Sequence, residues 1–250
     1  MKTETIEIRT SDGTASAYEV TPGGSAKRGA ILFFMDGVGL RDALRRMADR
    51  LGAAGYHVLL PDLYYRVGRE LHWDPREVFG KPEKLAEMRK TIGQLTPEMV
   101  MRDVDAFLGH LGSRADVDLS RLGVVGYCMG GRFALLTASH FPDRVRASAS
   151  IHPGGLVTPE PTSPHLRLAQ VKARVYVGRA SDDASFTEEQ AQTFDDALRS
   201  AGVRYQLERY AAKHGWAVDD TPVHDVAEAE RHYRAILALF RAELGPDADA

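Results

Sequence analysis

Apolar positions along the chain follow two rhythms. Residues 5–9 and 15–21 alternate loosely about Ser11-Asp12-Gly13, which predicts a β-hairpin. Residues 30–35 form an unbroken apolar run, as in a strand buried on both faces. The rhythm then becomes helical over 40–54, with Leu40, Leu44, Met47 and Leu51 on one face and Gly55 as a stop. A strand at 56–60 ends at Pro61-Asp62. Residues 63–80 are irregular and aromatic. Their Tyr64, Tyr65, Trp73 and Phe79 read either as a lid or substrate wall or as core. Helical spacing returns over 84–95 and 97–111, the second burying Val100, Val104, Phe107, Leu108 and Leu111.

The downstream half predicts a strand at 122–126, a helix at 129–141 and a strand at 147–152. A proline-rich loop spans 153–164. A strand at 173–177, a helix at 187–201, a strand at 204–210 and a helix at 222–244 follow, with a polar tail from 244 to 250 expected to fray. Strands alternating with helices predict an α/β fold: a mostly parallel sheet with helices on both faces. No repeat, low-complexity segment or linker divides the chain, so residues 1–250 read as a single domain.

Composition and charge narrow the function classes. Of 250 residues, 44% are hydrophobic and 27% charged, enough for a sizeable core. The formal net charge of −3 gives no reason to expect nucleic acid or an anionic membrane as partner. Arg41, Arg45 and Arg46 share a predicted helix with Asp42 and Asp49 and read as a solvated face. The polar start MKTETIEIRTSDG lacks a signal-peptide core, and no apolar run is long enough to span a bilayer. A single cysteine forms no internal disulfide. Together these features predict a cytoplasmic protein, either a monomer or a small homo-oligomer.

The chemistry concentrates around that cysteine. Gly126-Tyr127-Cys128-Met129-Gly130 follows an apolar strand and opens a helix. This is the nucleophile-elbow pattern, Gly-x-nucleophile-x-Gly, with cysteine at the centre. Its sharp turn leaves no room for side chains two positions either side, hence Gly126 and Gly130. A sulfur at a helix N-terminus meets the positive end of the dipole, which favours the reactive thiolate. Without partners, the same segment reads as a glycine-rich turn around an inert cysteine.

A nucleophilic thiol needs a base, and the base an orienting carboxylate. Folds with such an elbow place them in the order nucleophile, acid, histidine. Among downstream histidines, His214 sits in a loop between the last strand and the last helix. His224 and His232 fall on or beside the final helix and read as surface residues. His140 reads as a helix-end cap, and His152 as pocket lining or as a structural histidine. For the acid, Asp183 is preferred over Asp182, both following the strand at 173–177. The oxyanion donors are expected to be the backbone N–H groups of Met129 and Gly37. Asp36 stands at the mouth of the site, or serves only the turn. Nothing in the sequence calls for a metal or cofactor.

These features resemble the dienelactone hydrolase (carboxymethylenebutenolidase) family of α/β-hydrolases. The resemblance rests on Gly126-Tyr-Cys-Met-Gly-Gly131, Asp183, the loop Phe34-Met-Asp-Gly-Val-Gly-Leu40, and His214-Gly-Trp-Ala-Val218, and it covers nearly the whole chain. It implies a Cys–His–Asp triad opening a lactone or small carboxylic ester by acyl transfer. It also implies a thiol-holding carboxylate at Asp36, where the family has Glu. Family members grip a substrate carboxylate with arginines, one of them shortly after the catalytic histidine. Here the residues after His214 include no such arginine, which leaves Arg66, Arg69, Arg76 and Arg102 as candidate cations. A second reading keeps the fold without turnover: a ligand-binding or redox-sensing protein in which Cys128 is modified.

Overall fold

A computed structural model describes residues 1–24 and 26–245. An eight-stranded sheet runs through it in the order β1-β2-β4-β3-β5-β6-β7-β8. The predicted hairpin is β1 (Lys2–Thr10) with β2 (Gly13–Thr21), and β2 also runs antiparallel to β4 (His57–Pro61). From β4 onward every pairing is parallel, through β3 (Arg28–Phe34), β5 (Val117–Tyr127), β6 (Val145–Ile151), β7 (Arg174–Asp182) and β8 (Tyr205–Lys213). Residues 29–34 and 122–127 are buried throughout, because helices cover both faces of the central strands. This is the predicted architecture.

The strand order places the site. From β3 the chain crosses through α1 (Asp42–Ala53) to β4 on one side. It then returns through α2 (Pro75–Val78), α3 (Pro82–Gly93) and α4 (Pro97–Ser113) to β5 on the other side. The carboxyl ends of β3 and β5 therefore lie at a topological switch point, where diverging connections leave a crevice. The loop after β3 carries Asp36 and Gly37, and the turn after β5 carries Cys128.

Several boundaries differ from the apolar pattern. β5 starts at Val117, ahead of the run at 122, because polar residues of a strand still pair through their backbone. β7 continues to Asp182 for the same reason. Residues 164–170 form a 3-10 helix just after the proline-rich loop, where the apolar pattern predicts no element, and residues 75–78 form a short α-helix capped by Asp74 within the stretch expected to be irregular. α5 (Met129–His140) and α6 (Glu188–Ser200) match their predictions, and Thr187 caps α6 in a reciprocal box with Gln190. α7 (Val226–Leu244) starts later than Pro222, since the Asp225 carboxylate accepts the Glu228 N–H at 3.0 Å and sets the cap. Leu244 does not fray: it ends α7 and is buried beside Gly29. The rest of the expected tail, from 246 on, lies outside the described residues.

Candidate active site

The elbow is built as its glycines require. Cys128 has φ 54° and ψ −116°, a region that L-residues rarely occupy. A Cβ on Gly126 would lie 2.0 Å from the Gly130 carbonyl oxygen, and one on Gly130 would lie 2.4 Å from the Phe34 carbonyl oxygen. Surrounding bonds hold the turn: the Cys128 N–H donates to Ile151 at 3.0 Å, and the Cys128 carbonyl accepts from Gly131 at 3.1 Å and Gly154 at 3.3 Å. Met129 is the first residue of α5, so its N–H has no acceptor within the helix. Cys128 is half-buried and lines a cavity of about 470 Å³.

His214 lies just past β8 and lines the same cavity. Its Nδ1 is 2.7 Å from Asp183 Oδ2, and Asp183 Oδ1 accepts the Ser185 N–H at 2.7 Å. The Asp183 side chain is 1% exposed, whereas Asp182 is exposed and pairs across the sheet with Lys213. Burial lowers the affinity of His214 for a proton. The charge of Cys128 and hydrogen bonds with Asp183 and Cys128 outweigh that and raise its pKa to about 10. Cys128, His214 and Asp183 thus converge from three separate segments.

His152 is both pocket lining and fully buried. Its ring centroid lies 5.1 Å from that of His214 and 5.0 Å from that of Trp216, and neither ring nitrogen has a hydrogen-bond partner among the described residues. Burial first, then the nearby charge of His214, hold its pKa well below the ordinary value. The imidazole is therefore neutral. It adds no competing positive charge beside His214.

The loop after β3 is fixed by two residues to which the sequence reading gave other parts, Tyr64 and Arg41. Tyr64 donates its hydroxyl to the Gly37 carbonyl at 2.8 Å, orienting that peptide. Arg41 is not on a solvated face: it is buried and donates to both oxygens of Asp36 at 2.7 and 3.0 Å. It also donates to both oxygens of Asp220, at 2.7 and 2.9 Å, which ties the loop after β3 to the segment after His214. Asp36 accepts the Val38 N–H at 2.9 Å as well. Among the described residues its carboxylate bonds to Arg41 and Val38 and not to Cys128, and its backbone carbonyl accepts the Gly39 N–H at 3.2 Å. The helix rhythm hides Arg41, because it precedes the first turn of α1 and points back along the loop.

Other expectations resolve outside the cavity. Arg66 pairs with Asp103 and Asp12, Arg102 with Asp12, and Arg69 with Glu7. Neither these nor Arg76 line the cavity. His232 is not a surface residue: it is buried, with Nε2 3.2 Å from the Tyr127 hydroxyl, and burial pushes its pKa down to about 4. His224 places Nδ1 2.9 Å from the Trp216 carbonyl oxygen. Of the aromatic stretch, Tyr64 and Trp73 are buried in edge contact, while Phe79 is exposed at the cavity mouth. The segment is thus part core and part wall.

Comparisons with known proteins bear on the family and the fold. A protein of Escherichia coli (strain K12), provisionally named a carboxymethylenebutenolidase, is 27% identical over 207 residues, covering 81% of this chain and 73% of its own. A carboxymethylenebutenolidase of Rhodococcus opacus is 33% identical over 125 residues, covering 50% of this chain and 44% of its own. A crystal structure from Klebsiella pneumoniae, provisionally named a dienelactone hydrolase, superposes with a TM-score of 0.83 at 22% identity, covering 96% and 98% of the two chains. It shares the α/β-hydrolase fold. Residues 15–244 match the dienelactone hydrolase family as a whole, and the chain belongs to that family of hydrolases.

Proposed function

We propose that this protein hydrolyses a lactone or small carboxylic ester through a Cys128–His214–Asp183 triad. The observation that carries the reading is the 2.7 Å contact between His214 Nδ1 and Asp183, with Cys128 interacting with the same imidazole and lining the same cavity. His214 takes the thiol proton, and the sulfur adds to the substrate carbonyl. The resulting oxyanion lies against the N–H groups of Met129 and Gly37. Collapse breaks the carbonyl–alkoxy bond, His214 returns its proton to the departing alkoxide, and a thioester remains on Cys128. His214 then deprotonates water, which adds to the thioester and expels the sulfur, releasing the acid. Asp183 holds the imidazole in the tautomer and orientation both halves need. Asp36, bound to Arg41, acts through the shape of the loop.

The test is steady-state hydrolysis of p-nitrophenyl acetate and of dienelactone by wild type, Cys128→Ala and His214→Ala. Continuous turnover by wild type and its loss in both variants is the expected result. A single stoichiometric burst without turnover, or full activity in Cys128→Ala, overturns the reading.

A further inference from the structure

The cavity in front of Cys128 carries a specificity of its own. Its outer wall comes from α3 and the segment before it: Phe79, Leu85, Met88 and Ile92. Val38 and Val223 complete the apolar surface. Phe79 is 48% exposed, a large apolar side chain held in solvent at the mouth. Ile92 closes down on the oxyanion loop, its Cδ1 2.6 Å from where a Cβ on Gly37 would sit.

The charges around the cavity argue against an anionic guest. Three carboxylates line it, Asp36, Asp182 and Asp183. The buried guanidinium nearby, Arg41, is saturated by Asp36 and Asp220. Arg89 and Lys213 stand exposed at the rim, where solvent screens them and an ion pair contributes little. The other buried histidine on the wall, His152, is neutral. A substrate carboxylate entering this space would lose its hydration and, among the described residues, find no buried cation free of a partner, since His214 is held by Asp183 and Cys128 as Arg41 is by Asp36 and Asp220.

We infer that this hydrolase selects uncharged esters bearing an apolar chain of several carbons, and discriminates against substrates with a free carboxylate. The inference rests on the proposed ester hydrolysis at Cys128. The cavity of about 470 Å³ falls in the range that encloses a small organic molecule, well beyond an acetyl group. The apolar chain lies along Phe79, Leu85, Met88 and Ile92.

The experiment compares kcat/KM for p-nitrophenyl acetate, butyrate and hexanoate, and for the p-nitrophenyl monoester of adipic acid, whose equally long chain ends in a carboxylate. Each added methylene is expected to raise kcat/KM by about threefold to fourfold until the wall is filled. The adipate monoester is expected to be roughly tenfold or more poorer than hexanoate. Phe79→Ser, a change at an exposed position, is expected to flatten the chain-length gradient. Cys128-dependent turnover of acetate with no gradient overturns this inference and leaves ester hydrolysis standing. So does a preference for the adipate ester that disappears in Arg89→Ala. Absence of Cys128-dependent turnover of any of these esters overturns both.

Discussion

Asp182 and Asp183 are neighbours with opposite surroundings. β7 runs on to Asp182, and successive side chains of a strand leave on opposite sides. One carboxylate therefore meets solvent while the other is buried against His214. Asp183→Asn keeps the shape but removes the charge and favours the wrong imidazole tautomer. It is expected to lower kcat/KM for p-nitrophenyl acetate by roughly a hundredfold to ten-thousandfold. Asp182→Asn is expected to stay within about twofold, since it alters a solvated charge. Equal losses in both variants would place the orienting role elsewhere. The same removal should lower the pKa of His214, because Asp183 helps to hold it up. The pH dependence of kcat/KM in Asp183→Asn reads that directly. At His152 the sequence left two readings open, pocket lining or a satisfied structural histidine: the ring lines the cavity, and its unpartnered nitrogens do not fit the second reading.

At the scale of elements, the elbow depends on two backbones approaching without side chains between them. Gly126→Ala forces a Cβ against the Gly130 carbonyl, an atom of the turn itself. It is expected to cost about 2–4 kcal/mol in urea unfolding and to abolish turnover. Gly109→Ala is the matched contrast. Gly109 lies within α4, and a Cβ there meets nothing within 4 Å among the described residues. That substitution is expected to stabilise by roughly 0.5–1 kcal/mol, because alanine is the better helix former. If both glycines respond alike, close approach is not what sets the elbow's composition. α3 shows how an element acquires a role that its own pattern does not announce. Its sequence is an ordinary amphipathic helix, yet its position above the switch point makes Met88 and Ile92 cavity wall.

Across the whole molecule, a buried ionic cluster joins β2, β4 and α4 away from the site. Glu19 Oε1 lies 2.8 Å from His57 Nε2 and 2.7 Å from His110 Nε2, and His57 Nδ1 lies 2.9 Å from Asp116 Oδ2. Burial pushes the Glu19 carboxyl up, but the hydrogen bonds and charges of His110 and His57 outweigh it and hold the carboxyl at about 2. A depressed carboxyl contributes stability above its unfolded value near 4.5, and loses it as pH falls from there towards about 2. Wild type is therefore expected to lose on the order of 2 kcal/mol through this group between about pH 5 and pH 3. Glu19→Gln should be less stable than wild type at neutral pH and flatter across that acid range, as read by denaturant unfolding at each pH. A parallel fall in both proteins would assign the acid sensitivity to other carboxylates. No described helix is long and apolar enough to cross a membrane.

What the sequence determined by itself is local and periodic. The apolar runs mark the central strands, the helical spacings mark α1 and α4 to α6, and Gly126 and Gly130 bracket Cys128 at a strand-to-helix junction. Those signals are legible because they rest on steric and solvation rules acting within a few residues. The pairing of His214 with Asp183 was legible only as an order along the chain, and its contact needed β7 and β8 side by side. The burial of Arg41 and His232 was not legible. Arg41 is separated from Asp220 by most of the chain, and His232 from Tyr127 by more than a hundred residues. A charged or polar residue at a helix face reads as solvated until its partner is brought to it. Only the tertiary structure decides which polar groups are desolvated and paired, because that depends on which distant segments the sheet order makes neighbours.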